Sequence, residues 1–156
     1  MLNEIYSRRI LELAANIPRL GRLSDAQGSA TAHSKLCGST VTVDVKLEGD
    51  VVSDFAPEVR ACALGQATSS LMAEHVVGTS VAELRSLRDQ VRAMLKENGA
   101  PPNGKWEDMR AFEPVRDYKA RHHSTLLTFD AVVEACEKAM AAKADPVQAG
   151  VYKVSA

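Results

Sequence analysis

Thr40-Val41-Thr42-Val43-Asp44-Val45-Lys46-Leu47, followed by Glu48-Gly49-Asp50 and Val51-Val52-Ser53-Asp54-Phe55, sets the architecture. Val41, Val43, Val45 and Leu47 alternate with Thr40, Thr42, Asp44 and Lys46. A period of two is that of a half-buried strand, with one apolar and one polar face. Glu48-Gly49-Asp50 reads as a turn, and Val51 to Phe55 as the returning strand. The pair predicts an antiparallel hairpin, with a third strand supplied by the segment before Cys37.

Outward from the hairpin the period lengthens. Toward the N-terminus, Leu2, Ile5, Ile10 and Leu13 share a helical face, with Tyr6 alongside. Pro18 and Gly21 stop that helix, and residues 22–36 read as mostly loop. After the hairpin a helix begins near Ala61 or Cys62 and carries Leu64, Ala67 and Leu71 on one face. Another opens at the capping box Ser80-Val81-Ala82-Glu83 and repeats Val81, Leu84, Leu87, Val91 and Leu95. It ends at Asn98-Gly99 with Pro101-Pro102 beyond. A Pro/Gly-rich connector leads to Trp106. The last long helix holds Leu126, Phe129, Val133, Cys136 and Met140. Helix, hairpin, helices in that order predict an α+β domain over residues 1–143, a small, about three-stranded antiparallel sheet with helices packed on one face. Pro146 and Gly150 predict a flexible tail over 144–156.

Composition narrows the function classes. The chain has 156 residues, enough for one domain with a real core. It is 46% hydrophobic and 25% charged, as an ordinary soluble protein is. A net charge of −1 points to neither nucleic acid nor a membrane surface as partner. No apolar run is long enough to span a bilayer. Met1-Leu2-Asn3-Glu4 lacks the basic and apolar regions of a signal peptide, so the expected compartment is the cytoplasm, where thiols stay reduced. Residues 99–104 lack the spacing of a phosphate-cradling loop, and no motif assembles a Ser-His-Asp triad.

The three cysteines read differently. Cys136 falls on the apolar stripe of the last helix, where a free cysteine is a small buried hydrophobe. Cys37 precedes Gly38 at the start of a strand. Either it fills a gap in a turn, or Gly38 lets its sulfur approach a partner. Cys62 stands where a strand gives way to a helix. It is either a buried first-turn residue or a thiolate favoured by free N–H groups and the helix dipole. His122-His123 add imidazoles about 100° apart on a helix, so one can serve a site while the other faces solvent or caps the backbone. Two thiolates and an imidazole suit zinc or an iron–sulfur unit, at a spacing that fits neither a zinc finger nor a ferredoxin.

The resemblance extends beyond the cysteines. Tyr6-Ser7-Arg8-Arg9-Ile10-Leu11 and Asn16-Ile17-Pro18-Arg19-Leu20-Gly21 resemble the opening helix and Asn-Pro-Arg-x-x-Gly turn of the IscU/SufU/NifU N-terminal family of iron–sulfur scaffolds, with Ile17 inserted. Leu36-Cys37-Gly38 is similar to the family's Leu-Cys-Gly-Asp motif, and Val52-Ser53-Asp54-Phe55 to its second strand. Ala61-Cys62-Ala63-Leu64-Gly65-Gln66-Ala67-Thr68-Ser69-Ser70 resembles the second-ligand stretch. Arg121-His122-His123-Ser124-Thr125-Leu126-Leu127 occupies the place of the third. The likeness runs from about residue 5 to residue 140. It implies a scaffold rather than an enzyme, with iron and a labile [2Fe–2S] cluster held by Cys37 and Cys62, and with His123 matching the histidine before the third cysteine. It also implies a cysteine desulfurase as sulfur source and iron–sulfur apoproteins as recipients; a homodimer is compatible.

Two positions depart from the pattern. Ser124 stands where the third cysteine is expected, and Ser39 where the motif has aspartate. His123, an outside thiol such as glutathione, or a ligand from another subunit would complete the set. The length of the 97–119 connector is more like SufU-type members, so a zinc-bound sulfur acceptor is one alternative. A module that binds partners without metal is the other. Glu113-Pro114-Val115-Arg116 resembles the chaperone-binding Leu-Pro-Pro-Val-Lys motif without its Leu-Pro start.

Overall fold

The computed structural model describes residues 6–144. Three strands, β1 (Gly28–His33), β2 (Thr40–Glu48) and β3 (Val51–Arg60), form an antiparallel sheet in the order β1-β2-β3. Among the described residues four α-helices accompany it: α1 (Arg8–Ala15), α2 (Ala63–His75), α3 (Val81–Lys96) and α4 (His122–Ala144). This is the predicted α+β arrangement, with β1 drawn from the segment before Cys37. The expected tail beyond Ala144, and Leu2 and Ile5 of the first helix, lie outside the described residues. No helix among the described residues is long and apolar enough to cross a membrane.

Val41, Val43, Val45 and Leu47 are all buried, as their alternation requires. Helix α4 lies across β1 and β2. At Gly28 the approach leaves no room for a β-carbon, which would land on the carbonyl oxygen of Ala135 and 2.8 Å from the amide nitrogen of Ala139. Helix α2 packs against β3, α4 and α1. Helix α3 runs antiparallel to α4, since Arg85 pairs with Glu137 at 3.0 Å and Arg92 with Asp130 at 3.3 Å. Ser80 caps α3 by accepting from the Glu83 N–H at 3.1 Å, as the capping box predicts.

Three features differ from the sequence reading. Strand β3 continues past Phe55 to Arg60 and includes Pro57. A proline is tolerated there because β3 is an edge strand; the Pro57 carbonyl accepts from the Gly21 N–H at 2.9 Å. The connector is a 3₁₀ helix over Gly104–Asp117, followed by another at Lys119–Arg121. Trp106, Met109, Phe112 and Val115 recur every third residue and are all buried, which is the period of a 3₁₀ turn.

The third difference is Asp44, whose place in the alternation puts it on the polar face. It is 1% exposed. The loop after α1 folds over that face and supplies its partners. Arg22 grips the carboxylate with Nε at 2.8 Å and Nη2 at 3.1 Å. Ser29 donates at 2.6 Å and the Leu23 N–H at 2.9 Å. Burial pushes the Asp44 carboxyl up, but the hydrogen bonds from Arg22, Ser29 and Leu23 outweigh it and hold it below the usual value.

A carboxyl depressed in the folded state stabilises the fold above its unfolded pKa, and that contribution disappears as pH falls through the folded pKa. Acid unfolding of the wild type should therefore steepen below about pH 4, the usual aspartate value. Asp44→Asn should lose about 1–3 kcal/mol at pH 7 and flatten this acid limb, measured by urea denaturation across pH. Gly28→Ala should cost at least about 1–3 kcal/mol by overpacking, because the clash is with helix backbone rather than a side chain that can swing away.

Candidate functional site

The turn between β1 and β2 presents Cys37. The Gly38 N–H donates to the Ser34 carbonyl and the Ser34 N–H to the Ser39 carbonyl, both at 2.8 Å. Gly38 takes φ +71°, a left-handed conformation natural only to glycine, which closes the turn and leaves Cys37 exposed. Cys62 arrives from the far end of β3. It is the N-cap of α2, with extended backbone and no capping bond from its side chain. Its thiol therefore stays available at a helix end whose first N–H groups favour negative charge.

Ser39 connects the two. Its hydroxyl accepts from the Cys62 N–H at 3.2 Å and lies 2.9 Å from Cys37 Sγ. Ser34 Oγ is 3.5 Å from the same sulfur. Burial pushes the Cys37 thiol up, but hydrogen bonds from Ser39, from Ser34 and from the Cys62 side chain outweigh it. The thiol lies below its ordinary value of 9.0. The sequence marks Ser39 only as a departure from aspartate; its linking role appears only when β2 and β3 pair Thr40 with Arg60 and bring Cys62 alongside.

The third segment meets α2 at its first turn. A β-carbon on Gly65 would lie 3.3 Å from the Ser124 carbonyl and 2.7 Å from Ala61 Cβ. Ser124 is buried and its hydroxyl donates to the Arg121 carbonyl at 3.1 Å. The two histidines diverge as the helical period requires. His122 is 4% exposed and its Nε2 faces the Val115 and Arg116 carbonyls at 3.1 and 3.0 Å. Both partners are acceptors, so Nε2 carries the hydrogen. His123 is exposed on the face it shares with Asp130, seven residues on. Asp130 pairs with Arg92, so that face turns toward α3. Cys37, Cys62 and His123 are not gathered: among the described residues no three His, Cys, Asp or Glu groups stand close enough to hold a metal ion. Cys136 is a core residue, fully buried, and burial pushes its thiol up to about 12.

Comparison with known proteins identifies the family. Residues 5–125 match the model described as the NifU-like N terminal domain, and the chain belongs to that family. It is 30% identical over 134 residues to the iron-sulfur cluster assembly scaffold protein IscU of Thermotoga maritima, spanning 86% of this chain and 94% of that protein. It is 23% identical to the zinc-dependent sulfurtransferase SufU of Bacillus subtilis, over 88% of this chain and 92% of that one. Among solved structures, a nitrogen-fixing NifU-like protein (N-terminal) from Brucella abortus superposes with a TM-score of 0.87 at 57% identity, covering 89% of this chain and 96% of that one.

Alkylation by iodoacetamide checks the thiol geometry. Cys37 should react with a midpoint below pH 9, since the thiolate is the nucleophile. Ser39→Ala should move that midpoint upward, while Cys136 stays unmodified until the protein unfolds. An unchanged profile in Ser39→Ala would show that the hydroxyl does not act on the sulfur.

Proposed function

We propose that this protein is an iron–sulfur assembly scaffold or carrier that takes iron and a labile [2Fe–2S] cluster as cargo. Cys37 and Cys62 supply the thiolates, and His123 is the candidate third ligand. The cargo would come from sulfur delivered by a cysteine desulfurase and would pass to recipient apoproteins. The observation that carries this reading is the Cys37–Ser39–Cys62 link, which sets two thiols side by side and makes one more acidic. Two adjacent thiolates suit soft metal and iron–sulfur cargo. The family's named members include cluster-assembly scaffolds.

The remaining ligands have to be recruited. Ser124 does not serve, because its hydroxyl is buried and donates to a backbone carbonyl. His123 is exposed on the first turn of α4, so a shift of that turn or an outside thiol would complete the set. Cys37 combines exposure with a lowered thiol pKa. That favours a second reading in which Cys37 accepts sulfur while zinc orients the site, as the name of the Bacillus subtilis relative suggests.

Anaerobic reconstitution with iron and sulfide separates these readings. A scaffold should take up both, with visible charge-transfer absorption lost in Cys37→Ala and Cys62→Ala and weakened in His123→Ala. Protein that retains zinc alone and accelerates a desulfurase would favour sulfur acceptance. No metal in either form would overturn both and leave a partner-binding module.

A further inference from the structure

A second feature lies on the other side of His122, away from the cysteines. The end of α3 and the two 3₁₀ turns enclose a crevice of about 230 Å³, lined by Leu95, Lys96, Asn98, Arg116, Lys119 and His122. Asn98, two residues beyond the end of α3, takes a left-handed conformation, φ 54°. Three cationic side chains from separate elements converge on it.

Their surroundings differ from those of the arginines that bridge the fold. Arg9, Arg19, Arg22, Arg85 and Arg92 all reach carboxylates on other parts of the fold. Among the described residues Lys96 and Lys119 form no ion pair, although Glu97 and Asp117 lie one and two residues away in sequence. Arg116 is committed on one side. It donates to the Met94 and Gly99 carbonyls at 3.2 and 3.1 Å and sits 3.4 Å from Glu113. The Met94 bond caps part of the carbonyl end of α3, which disfavours an anion. Together these contacts fix the guanidinium as one wall. The two lysines are exposed cations on the lining, and their ammonium groups can donate to an anion that enters.

We propose that this crevice binds a small anion bearing carboxylate or phosphate groups, held between Lys96 and Lys119 against Arg116. Its volume of about 230 Å³ suits a ligand of metabolite size. The site does not depend on the cysteines or on the cargo reading.

Amide-resolved NMR titration of the full chain at low salt tests it, with citrate in one arm and inorganic phosphate in the other. Saturable shifts should cluster at Lys96, Asn98, Lys119 and His122, and the arm that saturates at lower concentration names the anion class. Lys96→Ala/Lys119→Ala should weaken binding at least tenfold and abolish the rise in melting temperature that the anion gives the wild type, while iron and sulfide uptake stays unchanged. Shifts spread over all basic surfaces, or equal binding by the double variant, would overturn the proposal.

Discussion

Helix α4 lies so close to β1 that Gly28 can carry no side chain, and this contact orients the rest of the molecule. The helix runs from its first turn across β1 and β2. That turn meets the first turn of α2 at Gly65, again a place where a β-carbon would crowd its neighbours. Two glycines therefore place the start of α4 against the helix whose N-cap is Cys62. On the opposite face of the sheet, the loop after α1 is secured by the buried Asp44 carboxylate. One side of the sheet is held by packing and the other by a charged hydrogen-bond cluster.

These two modes of attachment answer to different conditions. Packing of Val41, Val43, Val45 and Leu47 beneath α4 does not depend on pH. The Asp44 cluster does, because its carboxylate must remain ionised to accept from Arg22, Ser29 and Leu23. The loop is thus the part of the fold that acid should release first.

Much of this was legible in the sequence because periodicity reports burial directly. The alternation at 40–47 located β2, and the capping box at Ser80 located α3. What escaped reading depended on distant partners. Nothing near Asp44 in sequence announces that Arg22 will cover it. The third-residue spacing of Trp106, Met109, Phe112 and Val115 was present, but the prolines and glycines around it read as irregular chain. At the candidate site, local sequence left Cys37 and Cys62 undecided between packing and chemistry, and the resemblance marked them as ligands. The structure adds Ser39 as their link, seats His122 on backbone carbonyls and leaves His123 facing α3.

The link between the cysteines rests on the Ser39 hydroxyl and on the hydrogen bond between the two thiols. A neutral hydrogen bond of that kind contributes about 1 kcal/mol, while the strands on either side are anchored by the full sheet ladder up to His33 and from Thr40. The turn carrying Cys37 can therefore swing from the helix cap carrying Cys62 without disturbing the sheet. In mechanical terms the fold combines a stiff frame with a light latch, and the distance between the sulfurs is the coordinate that the latch releases.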